Sequence, residues 1–204
     1  MNEKFDRCAL VIVDVQNDFC PGGALGVREG DEVVWVINRL IPLFPFVAAT
    51  RDWHPAHHIS FEERGGPWPP HCIQQSFGAQ FHERLDQSGI DLFLYKAATP
   101  DRDAYSGFEA QDDRGKLLAE GLREEGIEAI YVAGLATDYC VRATALDGIA
   151  NGFEVYVIVD AVRAVDVNPG DGLRALEEMV SRGAQLVTSD EIAESARPHP
   201  AVNG

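Results

Sequence analysis

Basic residues are scarce in this chain: Lys and Arg number 17 against 33 Asp and Glu, a formal charge of −16 over 204 residues. So acidic a surface repels phosphate backbones, which excludes a general nucleic-acid or anionic-membrane binder and favours a neutral or cationic small-molecule partner. Cysteine is sparse too. The four, at 8, 20, 72 and 140, form no CxxC pair and no dense framework, so they read as reduced thiols. Long apolar runs are missing: Cys8 to Val13 is too short for a signal-peptide core, and nothing approaches the ~18 residues of a membrane span. A cytoplasmic protein is expected. Internal repeats and low-complexity tracts are also lacking. With 46% hydrophobic residues, the chain is globular and sized for one domain over 1–204, with a frayed tail from Arg197.

Short apolar runs recur along that domain: 8–13, 46–49, 92–95, 129–132, 155–159 and 185–187. Runs without polar alternation suit strands covered on both faces, hence a parallel sheet. Helical spacing falls between them. Val33, Ile37, Leu40 and Phe44 form one stripe, which Pro42 should end near Ile41; Leu118 with Leu122, Val141 with Ala145, and Leu173, Leu176 and Val180 mark others. The expectation is an α/β fold, a three-layer α/β/α sandwich on a six-stranded, mainly parallel open sheet, since a closed barrel needs eight strands. Residues 51–91 break the rhythm. They carry His54, His57, His58, His71 and His82 but no long periodic element, which marks a functional insertion.

In an open parallel sheet, ligands bind beyond the carboxyl ends of the strands. The residues there are Asp14, Arg51 and Asp52, Lys96, and the loop from Gly134 to Cys140. Cys140 is placed in the first turn of the next helix, capped by Thr137 or Asp138, where backbone N–H groups and the helix dipole lower a thiol pKa and cradle an oxyanion. An isolated cysteine is most often a small core residue; the charged neighbours at adjacent strand ends favour a nucleophile here. Asp14 reads either as a turn cap or as the base for that thiol, with the Lys96 ammonium holding it ionised. Cys8 reads as core, and Cys20 and Cys72 as either.

Asp52 and His54 stand two apart in extended chain and so face the same way. His71, behind the stiff Trp68-Pro69-Pro70 segment, completes a carboxylate plus two-imidazole set for a first-row divalent ion. His57 and His58, being adjacent, point apart; His82 and His199 read as surface residues. Phe19, Trp68, Tyr105 and Tyr139 lie in loops beside these groups, either as plugs under the loops or as walls for a flat ring.

The segments Val13–Val141 contain Val13-Asp14-Val15-Gln16-Asn17-Asp18-Phe19, Thr50-Arg51-Asp52-Trp53-His54-Pro55, Trp68-Pro69-Pro70-His71-Cys72 and Gly134-Leu135-Ala136-Thr137-Asp138-Tyr139-Cys140-Val141. In this order they resemble the motifs of nicotinamidases, also called pyrazinamidases, within the isochorismatase-like hydrolases, over about residues 8–188. The resemblance implies hydrolysis of nicotinamide to nicotinate and ammonia through a thioester on Cys140, with pyrazinamide as a further substrate and a place in NAD salvage. It implies Asp14, Lys96 and Cys140 as catalytic triad, the backbone N–H groups of Ala136 and Cys140 as oxyanion hole, and a cis Leu135–Ala136 peptide. It further implies Asp52, His54 and His71 as ligands of zinc or a similar ion, such as iron or manganese, and Phe19, Leu25, Trp68, Tyr105 and Tyr139 around the ring. His58 stays outside the metal set, as a residue behind it, and a homo-oligomer is left open. The chain departs from its relatives at Ile73–Ala79, where a Gly-Thr pair is common, and at Ala97, where Gly is. Competing readings are a ureido or carbamoyl amidohydrolase of the same superfamily, a non-haem iron site on Asp52, His54 and His71, and a non-catalytic metal-binding module.

Overall fold

The computed structural model describes residues 5–196; the expected frayed tail and His199 lie outside the described residues. Six strands, β1 (Cys8–Val13), β2 (Phe46–Asp52), β3 (Leu92–Lys96), β4 (Ala129–Leu135), β5 (Glu154–Arg163) and β6 (Gln185–Val187), form one sheet in the order β3-β2-β1-β4-β5-β6. Every pairing is parallel. The helices are α1 (Glu32–Leu40), α2 (Leu118–Glu124), α3 (Arg142–Ala150), α4 (Asp171–Ser181) and α5 (Ser189–Ser195).

The central strand explains the layering. All six residues of β1 are buried because its two faces serve two cores. Cys8, Leu10 and Ile12 pack with Val33, Ile37 and Leu40 of α1 and Ile192 of α5. Ala9, Val11 and Val13 pack with Leu118 and Leu122 of α2, Ala145 of α3 and Met179 of α4. Each Leu or Ile so buried contributes roughly 1.5–3 kcal/mol. As Pro42 predicts, α1 stops at Leu40 and passes into a 3-10 turn, Ile41–Leu43. The strands outrun the apolar runs that announced them. β2 reaches Asp52 and β3 reaches Lys96, so these polar side chains ride on the ladder itself, paired in register with each other.

The strand order reverses between β1 and β4, which opens a crevice at their carboxyl ends. One glycine keeps these two strands together there. Gly134 has φ +115°, and a Cβ on it would lie 2.0 Å from the Val13 carbonyl oxygen, so no other residue fits.

Candidate active site

Asp14 leaves β1 with φ 49°; its N–H donates to the Thr50 carbonyl at 3.1 Å, and its Oδ1 accepts the Thr50 hydroxyl at 2.8 Å. This turns Oδ2 toward Lys96, whose Nζ lies 3.0 Å away. The same ammonium is ion-paired with Asp52 Oδ1 and sits 3.5 Å from Cys140 Sγ. All four side chains are buried, Asp14 and Lys96 at 0% and 1% exposure. The carboxylate oxygens of Asp14 and Asp52 and the sulfur of Cys140 lie within 4.8 Å of one another. Three residues far apart in sequence thus meet at one strand-end rim.

Cys140 belongs to a wide five-residue turn, Thr137–Val141, between β4 and α3, closed by Val141 N–H donating to Ala136 O at 3.1 Å. Such π-type turns are frequent at functional sites. Tyr139 N–H donates to the same Ala136 carbonyl at 3.1 Å, and the first-turn amide of Cys140 is placed to meet a substrate oxygen. The Leu135–Ala136 peptide is cis. Neither Thr137 nor Asp138 is the cap, contrary to expectation. Ala136 holds that position, and the Asp138 carboxylate is committed to the loop after β5, accepting the N–H groups of Val165 and Asp166 at 2.9 Å each.

The electrostatics also differ from the sequence reading. Burial pushes the Cys140 thiol well above its ordinary pKa, and Asp14 and Asp52 reinforce this against the pull of Lys96. Burial raises the Asp14 carboxyl as well, because one ammonium cannot compensate two carboxylates. Asp52 takes the larger share: burial opposes its ionisation, but Lys96, with the His54 imidazole beside it, holds it below the usual carboxylate range. Burial likewise opposes the Lys96 charge, yet Asp14 and Asp52 push its pKa well above normal. The result is a neutral thiol beside a carboxyl tuned upward as a proton acceptor, not a free-standing thiolate.

Asp52 Oδ2 faces the imidazoles, 3.4 Å from His54 Nε2 and 4.0 Å from His71 Nε2. The far nitrogens are engaged with carbonyls, His54 Nδ1 with Ala97 O at 3.3 Å and His71 Nδ1 with Pro69 O at 2.8 Å. Those bonds place the proton on Nδ1 in the neutral rings and turn both Nε2 atoms to the side of the carboxylate, where the three groups can share one ion. Burial lowers the pKa of His71 and favours its neutral form. The donor set therefore fits a divalent first-row ion. His58 stacks on His54 with centroids 4.2 Å apart, but its own nitrogens meet Ser60 Oγ at 2.7 Å and Arg102 O at 2.9 Å. It is not among the three residues, Asp52, His54 and His71, whose ligand atoms lie within 4.8 Å of one another. His57 faces Glu63 on the surface, and His82 is partly exposed, with Nδ1 accepting the Arg84 N–H at 3.3 Å.

Cys140, Asp52 and His71 open into a narrow, partly enclosed recess. Phe19, Leu25, Trp68, Tyr105 and Tyr139 all line it. Trp68 Nε1 donates to Tyr105 Oη at 3.0 Å, and Tyr139 packs against both rings. Val27, Leu135 and Val165 complete the lining and went unnoticed in the sequence, where an aliphatic residue carries no signal of its own. Thr50 and Asp18 were also missed as supports. Asp18 accepts the Cys72 N–H at 2.7 Å and the Ala24 N–H at 3.2 Å, joining the chain that carries His71 to the chain that carries Leu25. Cys8 is core, and Cys20 and Cys72 are buried, with burial pushing Cys20 up to about 12.

Comparison with known proteins gives the family. Residues 8–191 match the isochorismatase domain family model. The nicotinamidase of Escherichia coli (strain K12) is 44% identical over 200 residues, covering 88% of this chain and 94% of that protein. The pyrazinamidase of Pyrococcus horikoshii, solved in complex with zinc, superposes with a TM-score of 0.80 at 50% identity, covering 89% of this chain and 99% of that one. A protein of L. infantum solved in complex with nicotinate gives a TM-score of 0.83 at 38% identity, covering 91% and 94%. With its fold, its strand-end residues and 184 of its 204 positions inside that match, this chain belongs to the isochorismatase family.

Proposed function

We propose that the protein is a nicotinamidase, a cysteine amidohydrolase that converts nicotinamide to nicotinate and ammonia and accepts pyrazinamide as well. The observation that carries the reading is the single rim on which Cys140, Asp14 and Lys96 adjoin the Asp52, His54 and His71 set, under an aromatic recess. Neither a non-haem iron site nor a passive metal module needs the first three residues.

Asp14 takes the proton from Cys140 Sγ, and the thiolate attacks the carboxamide carbon. The developing oxyanion is met by the Ala136 and Cys140 N–H groups. Asp14 returns the proton to the amine nitrogen, the C–N bond breaks, and ammonia leaves a thioester on Cys140. A water deprotonated by Asp14 then attacks the thioester carbon, and nicotinate departs as the thiol is reprotonated. Lys96 stays charged throughout and fixes both carboxylates. Asp52, His54 and His71 would hold zinc or a similar ion, which when bound offers a Lewis-acid contact to the pyridine nitrogen and so orients the ring. Residues 51–91 act as the insertion that brings metal ligands and pocket wall together. Sparse cysteines, at 8, 20, 72 and 140 with no CxxC pair, support a reducing, cytoplasmic setting, and no described helix is long and apolar enough to cross a membrane.

The test is a comparative assay. The zinc-loaded protein is expected to release ammonia from nicotinamide and little from a ureido substrate; the reverse result overturns the reading in favour of a ureido amidohydrolase.

A further inference from the structure

Past Val13 the chain turns away from β2 at Asp14, and the ladder between β1 and β2 loses its next rung. The side chain of Gln16 supplies it. Its Oε1 accepts the Asp52 N–H at 2.8 Å, and its Nε2 donates to the Asp52 carbonyl at 2.8 Å and to the Ala79 carbonyl at 3.0 Å. Gln16 is fully buried and both of its Nε2 hydrogens are used. On the other side of β2, Trp53 N–H donates to Lys96 O at 3.1 Å. The backbone around Asp52 is therefore clamped from both neighbours at the point where its carboxylate divides, Oδ1 to Lys96 and Oδ2 to the imidazoles.

We infer that Gln16 is a positioning residue for the metal centre: its amide replaces a strand neighbour and holds Asp52 so that Oδ2 meets the Nε2 atoms of His54 and His71. An amide suits this place because it offers one acceptor and two donors to one N–H and two carbonyls. A Met of similar length offers none, and an Asn is one methylene short. Gln16 does not line the recess, so its effect reaches a ring substrate through Asp52.

The inference rests on the metal-site half of the proposed function and is tested by Zn²⁺ binding to the full chain, measured by competition with a chromogenic chelator. Gln16→Met and Gln16→Asn are expected to weaken Zn²⁺ binding by about 10- to 100-fold, the usual effect of removing an outer partner of a ligand. Leu122→Ala, a cavity in the opposite core, loses stability but is expected to bind Zn²⁺ within about twofold of the unaltered chain. Binding within about twofold by both Gln16 variants, or equal weakening by Leu122→Ala, overturns the inference. Hydrogen exchange on the unaltered chain needs no substitution: the Asp52 amide is expected to be as protected as that of Thr50, and loop-like exchange there also overturns it. A chain that binds Zn²⁺ yet releases no ammonia from nicotinamide defeats the proposed function while leaving the role of Gln16 intact.

Discussion

Lys96→Met tests the electrostatic core of the site. The ammonium lies 3.0 Å from Asp14 and is also paired with Asp52, with no exposure to water. At an effective dielectric constant of ~20, unit charges at that distance attract by about 5–6 kcal/mol, part of which offsets the cost of desolvating them. Removing one partner of such a buried set costs about 3–5 kcal/mol. For a chain of this size that corresponds to a Tm loss of about 6–20 °C. The loss should depend on pH. Without the ammonium, two carboxylates within 4.8 Å cannot both ionise, so the raised Asp14 carboxyl rises further. A carboxyl raised in the folded state binds its proton more tightly folded than unfolded, so stability is greatest below the unfolded value of about 3.9 and falls as pH climbs through the folded value. Asp52 in the unaltered chain works in the other direction: held low, it contributes stability above pH ~4 that acid removes. The gap between variant and unaltered chain therefore opens from about pH 4 to pH 7. Urea unfolding followed by circular dichroism in metal-free buffer checks this. A loss under about 1 kcal/mol at pH 7, or one of equal size at pH 4.5 and 7.5, refutes the reasoning.

Cys140→Ala is expected to lower ammonia release from nicotinamide by at least about 10³-fold while Zn²⁺ affinity stays within about twofold, which separates nucleophile from metal centre. Treatment with a strong chelator followed by dialysis should abolish turnover, and added Zn²⁺ should restore it; full activity in metal-free protein contradicts the assigned role of Asp52, His54 and His71. Gly134→Ala should cost more than about 2 kcal/mol in denaturant unfolding, because its Cβ would collide with the Val13 carbonyl and its φ suits glycine. Tyr105→Phe removes the acceptor of Trp68 Nε1 and should raise KM several-fold with kcat little changed, as read from initial rates.

The sheet was legible because five of its six strands hold an unbroken apolar run of at least four residues; β6, Gln185–Val187, has only two apolar residues and is mostly exposed. Where the runs end was less so. Asp52 and Lys96 sit on the ladder, but their polarity hides them from a pattern that counts apolar residues. The last helix, α5, went unseen although Thr188 and Glu191 form a capping box, because its seven residues are too few to show a period. The grouping of Asp52, His54 and His71 was legible, since Asp52 and His54 are neighbours in extended chain and His71 follows a rigid turn. The ion pair that joins Asp52 to Lys96 spans 44 positions and leaves no trace in local spacing. The same holds for the upward shift of Cys140: helix-dipole reasoning sees only the turn, whereas burial and two carboxylates come from distant strands.

The two kinds of residue at this rim are mounted differently. Asp52 and Lys96 stand on parallel ladders, Asp14 directly follows one and Cys140 sits in the tight turn that joins β4 to α3, whereas Phe19, Leu25, Trp68 and Tyr105 stand on longer connecting segments. Connections tolerate insertion and exchange far better than a doubly covered sheet does. Retooling the connections would therefore redirect such an architecture to new amides while its bond-breaking apparatus stays put, a division of labour drawn by the weave of the strands.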